Sequence, residues 1–190
     1  MGNTFEEIIQ KRHSIRHFSE KSVSNSDLQL LFEAARLAPS SNNKQPWRFI
    51  AVRDKTKIEK LARAVPAGIK INAWMENAPC VIVCCGEESL FYHKAIRLAL
   101  PVDLMTIDVA IAIEHIVLSA TERGMGTCWV GWFSEEKVRK ILNIPSSWKI
   151  ISLLALGWPS QEKDYRKTSR KSLSEIAFLE SPENPLISDQ

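Results

Sequence analysis

Apolar and polar positions along the chain alternate between helical and strand periods. Thr4 followed by Glu7 reads as a capping box, and Phe5, Ile8 and Ile9 supply the apolar face of a first helix ending near Arg12. A loop over residues 14–23 follows. Ser26 and Asp27 then open a second helix, in which Leu28, Leu31, Ala34, Ala35 and Leu37 have core-compatible spacing and which Pro39 closes. Residues 49–52 read as a strand, and Asp54 caps a third helix carrying Ile58, Leu61, Ala62 and Val65. Residues 80–85 form an unbroken apolar run, the pattern of a strand covered on both faces. Between them, residues 66–79 read as partly helical.

The longest predicted helix covers residues 103–123 and stops at Gly124, a C′ position just after the basic Arg123. Ile107, Val109, Ile111, Ile113, Ile116, Val117 and Leu118 make it apolar nearly all the way round, so it is expected inside a core or a subunit interface. Its most apolar stretch, residues 104–118, is interrupted by Asp108, Glu114 and His115 and falls short of the roughly 20 apolar residues of a membrane span. Ser134, with Glu135 and Glu136, caps a further helix reaching about Asn143, and residues 150–156 form a last apolar strand. The tail from Ser160 is polar and basic, then apolar at Leu173, Ile176, Phe178 and Leu179. Such a tail is disordered unless it docks on something.

A chain of 190 residues, 45% hydrophobic, suits one core, and a single domain over residues 1–190 is expected. Its formal charge of +3 comes from 25 basic and 22 acidic residues interspersed, which gives no nucleic-acid surface; a local anionic ligand accounts for the excess. The first residues carry no export or lipidation signal. Cys80, Cys84, Cys85 and Cys128 form no CxxC pair and no disulfide framework, which fits a reducing cytoplasm. Together with the scattered His13, His17, His93 and His115 they show no metal-site spacing.

Three segments carry chemistry. Arg12, His13, Ser14 and Arg16 place two guanidinium groups, an imidazole and a hydroxyl in one short loop, a set suited to a phosphate or another anion. A solvated basic turn is the simpler reading of that loop alone. Residues 38–47 pack Ser40, Ser41, Asn42, Asn43 and Gln45 between a helix stop and a strand, offering neutral groups that read the carbonyl and N–H edge of a heterocycle. Trp47 in the same stretch is expected in the core. Gly124, Gly126 and Gly131 let the backbone approach a flat ligand, but their spacing is neither a dinucleotide fingerprint nor a P-loop.

Taken together, Arg-x-Ser-x-Arg, Ala-Pro-Ser-Ser-x-Asn-x-Gln-Pro-Trp, Gly-x-Gly-Thr-Cys-Trp-x-Gly, then Leu-Gly-Trp-Pro and a basic tail stand in an order that resembles the nitroreductase family of FMN enzymes, over residues 5–176. The resemblance implies an α+β fold with a mixed, mostly antiparallel central sheet flanked by helices. It also implies a homodimer with FMN sites at its interface and a C-terminal segment, residues 160–190, that crosses to the other subunit. By the same resemblance Arg12 and Ser14, with His13 between them, hold the FMN phosphate end, and Arg16 lies beside the N1 and C2 carbonyl side of the ring. A cation there stabilises the negative charge of the reduced ring. Ser40, Ser41, Asn43 and Gln45 are implied to reach FMN from the second subunit, with Asn42 as the variable position. Cys128, Trp129, Val130 and Gly131 are implied near N5, chiefly through backbone atoms, and Arg170 and Lys167 over the phosphate.

No side chain is implied as a covalent or acid–base catalyst. FMN takes a hydride from NADH or NADPH and passes two electrons to a nitroaromatic, a quinone or a similar small acceptor in a ping-pong cycle. Trp74, Met75, Phe91, Tyr92, Trp132 and Phe133 are candidates for the cover and walls of the acceptor pocket. Two other functions stay open: a specialised reaction on the same fold (reductive dehalogenation, flavin breakdown with oxygen, dehydrogenation of a peptide heterocycle), or a flavin-binding sensor.

Overall fold

Residues 4–66, 70–87, 102–160 and 168–186 are described by the computed structural model. The apolar run predicted over residues 80–85 is the centre of the architecture: strand β2, Cys80–Glu87. Its side chains alternate between two cores. Cys80, Ile82 and Cys84 face one, with Leu154 and Leu156, while Val81, Val83 and Cys85 face the other, with Leu153 and Ala155. Both faces are covered, which is why the run has no polar alternation.

The other strands are β1, Trp47–Val52, β3, Gly126–Val130, and β4, Trp148–Gly157. They form a four-stranded antiparallel sheet in the order β1-β2-β4-β3. The ladder extends each predicted strand, because pairing of Gly86 with Lys149 and Glu87 with Trp148 continues past the apolar residues. Register slips by one residue at Cys84/Cys85, where β4 bulges.

The first face of the sheet is covered by α2, Asn25–Arg36, and α4, Leu104–Glu122; the second by α3, Lys55–Ala62, and α5, Glu135–Leu142. Ahead of them lies α1, Phe5–Lys11, with the expected capping box between Thr4 and Glu7. α2 begins earlier than residues 26 and 27 suggest. Ser24 is its N-cap, its Oγ accepting from the Asp27 N–H, and the N3 carboxylate of Asp27 accepts from the Ser24 N–H, completing a reciprocal box. α3 ends short of Val65, since the following Pro66 disfavours helical backbone at Val65.

α4 has the expected ends, with Asp103 as N-cap, Arg123 as C-cap and Gly124 beyond it at φ +74°. By length and composition it is the one described helix apolar enough to cross a membrane, yet Met105, Asp108, Val109, Ala112, Ile113, Ile116, Val117 and Ala120 are buried in the protein. Ile107 on its far side is exposed, as are Phe5 and Ile9 of α1 and Leu37 after α2. The tail over residues 168–186 bonds to itself, through Leu186 N–H to Ala177 and Leu179 N–H to Asn184, and exposes Leu173, Ile176, Phe178 and Leu179.

All four cysteines are buried and unpaired. Burial pushes the Cys80 and Cys85 thiols up to about 12 and raises the Cys84 thiol well above its ordinary value. The native protein is therefore expected to resist thiol alkylation at neutral pH and to take up four equivalents once denatured. Rapid labelling of the folded chain, followed by intact mass, would contradict that packing.

Candidate cofactor site

Residues after α1 run along the outer edge of the sheet. Ser14 forms a parallel bridge with Thr127, Ile15 N–H donates to the Thr127 carbonyl at 2.8 Å, and Phe18 bridges Pro159. Further along, Ser19 N–H donates to the Trp158 carbonyl at 2.8 Å and Ser160 N–H to the His17 carbonyl at 3.1 Å. The first and third sequence motifs are thus brought side by side.

Gly126 makes that approach possible. A Cβ there would stand 2.7 Å from Cβ and Cγ1 of Ile15, so only glycine lets the segment lie against β3. This revises the role expected of Gly126. Gly126 admits another part of the chain rather than a ligand, Gly124 terminates α4 as expected, and a Cβ at Gly131 would meet only open space.

β3 is an edge strand, and along such an edge alternate residues turn both backbone groups outward. Thr127 is outward, because its carbonyl takes Ile15, so the next outward residue is Trp129. Cys128 and Val130 send their side chains into the protein and are buried, while Trp129 is exposed. The outward backbone at this edge is therefore that of Thr127 and Trp129, while Cys128 and Val130 pair with Ala155 and Leu153 of β4.

Charged groups converge on the same place. Arg16 is exposed and lies over the Trp74 ring, 5.7 Å from its centroid. Burial raises the Cys128 thiol above its ordinary value, opposed by the charge of Arg16 and a hydrogen bond with Ser14. Arg12 is half-buried beside α1, and His13 Nδ1 contacts the Lys11 carbonyl at 2.8 Å.

Glu114, which the motifs did not single out, stands between the two segments. Its half-buried carboxylate accepts from the Trp129 side chain and feels the charge of Arg12. Burial holds its pKa above the usual glutamate value, against the opposing pull of Arg12, Trp129 and His115. A raised acid pKa means that the folded state binds the proton more tightly than the unfolded state. Ionised Glu114 therefore costs stability above its folded pKa, and the cost is relieved as pH falls through it. Glu114→Gln is expected to flatten the rise of melting temperature on mild acidification, measured just above the usual glutamate range. An unchanged pH profile would remove Glu114 as its source.

The second motif is placed elsewhere on α4. Residues 41–43 form a 3-10 turn whose base rests on Asp108: Ser41 N–H donates to both carboxylate oxygens at 3.1 Å, and Ser41 Oγ to Oδ1 at 3.3 Å. Ser40 Oγ accepts from Gln45 N–H at 2.9 Å, and Asn43 and Gln45 are exposed. Asp108 and Glu114 are six residues apart on the helix, hence about 120° apart around it. The loop and the Arg12 segment consequently occupy different sides of α4. Arg170 is exposed in the tail, donating to the Ser169 carbonyl, and Lys167 lies outside the described residues.

Of the aromatic candidates, Trp74 joins the site through Arg16, whereas Met75 is wholly buried in the second core. Trp132 is exposed, its carbonyl taking the buried Asn72 amide at 2.7 Å, and Phe133 packs on that core. Phe91 and Tyr92 lie outside the described residues. A cleft of about 450 Å³ opens between residues 16–20, Arg53, Lys55 and Glu76, but of the predicted site residues it includes only Arg16.

The model of the nitroreductase family matches residues 9–73 and 67–158 of this chain. The chain belongs to the nitroreductase family. It is an oxidoreductase of that kind, with the α+β fold that the motifs implied. A protein of Archaeoglobus fulgidus, provisionally named an NADH dehydrogenase/NAD(P)H nitroreductase, is 35% identical over 162 residues, 83% of this chain and 87% of the relative. The 5,6-dimethylbenzimidazole synthase of Rhodospirillum rubrum is 29% identical, over 82% of each chain. Among solved structures, an FMN-dependent nitroreductase of Clostridium difficile superposes with a TM-score of 0.69 at 28% identity, covering 87% of this chain and 98% of that one.

Proposed function

We propose that this nitroreductase-family chain, acting as one unit over residues 1–190, binds FMN between two copies of itself. In that state it passes two electrons from NADH or NADPH to a small flat acceptor such as a nitroaromatic or a quinone. The observation that carries the reading is the docking of the Arg12–Arg16 segment against the open edge of β3, which sets guanidinium and hydroxyl donors beside outward-facing backbone.

The donor set fits FMN. Arg12 and Ser14, with His13 between them, offer the forked and neutral donors a phosphate needs. Arg16, steadied by the Trp74 face, supplies a fixed cation for the ring edge. The backbone of Cys128 to Gly131 offers a flat approach, with the open space at Gly131 admitting the ring. When bound, FMN supplies the two-electron chemistry, and the protein orients it and excludes competing contacts. No residue is assigned as an acid or a base.

Two features support a second copy. The loop carrying Ser40, Ser41, Asn43 and Gln45 sits on a different side of α4 from Arg12, so one cofactor touches both sets more readily across an interface. Phe5, Ile9, Leu37 and Ile107 also leave apolar surface uncovered, which association would bury. Arg170, with Lys167, would close over the phosphate from the tail, whose own apolar residues would be covered as it crosses. Unpaired cysteines fit the reducing cytoplasm.

An anaerobic visible spectrum of the purified protein, before and after NADH and then NADPH, tests this. Bound flavin that bleaches with one nicotinamide is the expected outcome and identifies the donor. Flavin that resists both would move the reading to a specialised reaction, as the similarity to the dimethylbenzimidazole synthase allows. A protein that binds no FMN on reconstitution would end it.

A further inference from the structure

Asp108 is the one charged side chain buried among the described residues, 3% exposed in the first core. Taking a carboxylate out of water is costly unless its lone pairs are met. Here Ser41 meets them, with its N–H shared between Oδ1 and Oδ2 and its hydroxyl on Oδ1. The acid is spent on one residue of one loop.

That loop is not relaxed backbone. Asn42, Asn43 and Gln45 lie at φ 48°, 53° and 49°, the left-handed region that side-chain-bearing residues avoid. Asparagine tolerates it, glutamine less so. Backbone held this way persists only where its surroundings overdetermine it. Hydrogen bonds within the loop and beneath it do so here, among them Asn43 N–H to the Ser40 carbonyl and Lys44 N–H to the Ser41 carbonyl. Ser40 Oγ takes the Gln45 N–H from within the loop, and Asp108 takes Ser41 from below.

We propose that Asp108 is a positioning residue for the cofactor: it holds residues 40–45 in their ligand-ready shape before FMN arrives, so that the exposed Asn43 and Gln45 amides need no reordering on binding. The inference rests on the reading that this loop contacts FMN. Its physical content is preorganisation, since a loop already ordered loses less freedom when it binds. Asp108 touches no reacting atom, so it acts on affinity and leaves the rate of the loaded site alone.

Asp108→Asn is the informative variant. It keeps the shape but turns one of the two acceptor oxygens into an amide donor that faces the Ser41 donors. Three quantities are to be read: the FMN dissociation constant by flavin fluorescence, the reduction rate of FMN-saturated protein by nicotinamide, and amide exchange over residues 41–45 in apoprotein. The expected result is FMN binding weaker by about tenfold or more, a saturated reduction rate within about twofold of wild type, and faster exchange at Ser41. Wild-type apoprotein gives a second test that needs no variant: its Ser41 amide is expected to be protected before FMN is added.

Equal FMN affinity in wild type and Asp108→Asn, or a Ser41 amide protected only after FMN binds, overturns the inference while leaving the flavoenzyme reading intact. Wild type that binds no FMN overturns both.

Discussion

Gly126→Val is expected to lose FMN binding and folding stability together. The new Cβ would meet Cβ and Cγ1 of Ile15 at 2.7 Å, and neither atom is the far end of a flexible side chain. Something larger must move: the whole segment bridged to Thr127, and with it Ser14 and Arg16. Overpacking of this kind costs about 1–3 kcal/mol. Alone, that is a stability effect. Its functional sign is the loss of phosphate-end donors, so FMN should dissociate even at temperatures where the variant remains folded. Circular dichroism melting with FMN titration separates the two, and a folded variant that retains the cofactor at wild-type affinity would mean that the docked segment is not part of the site.

Arginine truncations should divide the site by role. Arg12→Ala is expected to weaken FMN retention by roughly 10- to 100-fold, the equivalent of about 1.5–3 kcal/mol for a hydrogen bond to a charged group. Arg16→Ala should act on the ring instead, retaining more FMN but slowing its reduction and lowering its potential, by roughly 30 mV for each 1.4 kcal/mol of lost charge stabilisation. Arg16→Lys keeps the charge but gives up the planar stacking on Trp74, so it should recover potential better than rate. Dialysis, a redox titration and stopped-flow reduction distinguish these outcomes. Unchanged FMN affinity in Arg12→Ala would take that arginine out of the site.

What could be read along the chain was whatever is decided locally. The caps at Thr4, Asp54 and Ser134, and the stop at Gly124, need only neighbours a few residues away, and the structure has each of them. The unbroken run in β2 announced two covered faces for the same reason. Ser26 and Asp27 compete with Ser24 as caps within one turn of sequence, and only the paired hydrogen bonds between Ser24 and Asp27 decide among them.

Contacts between distant residues were not legible. Nothing near Gly126 says that its neighbour is Ile15, so a glycine required by a chain crossing looked like one required by a ligand. Asp108 and Glu114 do leave a signal in the sequence. Two acids in an otherwise apolar helix are conspicuous as interruptions, and buried or half-buried carboxylates call for partners. Which partners they hold, Ser41 and the Arg12–Trp129 pair, depends on helix phase against elements far along the chain.

That phase makes α4 a gauge of length as well as a core helix. A residue inserted or deleted between Asp108 and Glu114 would turn one carboxylate by about 100° relative to the other and shift it by about 1.5 Å along the axis. The helix could rotate to restore either contact but not both. Chains of this kind can therefore be lengthened in their surface loops, whereas the span between these two acids is fixed in residues and must be preserved whole in any truncation or chimera.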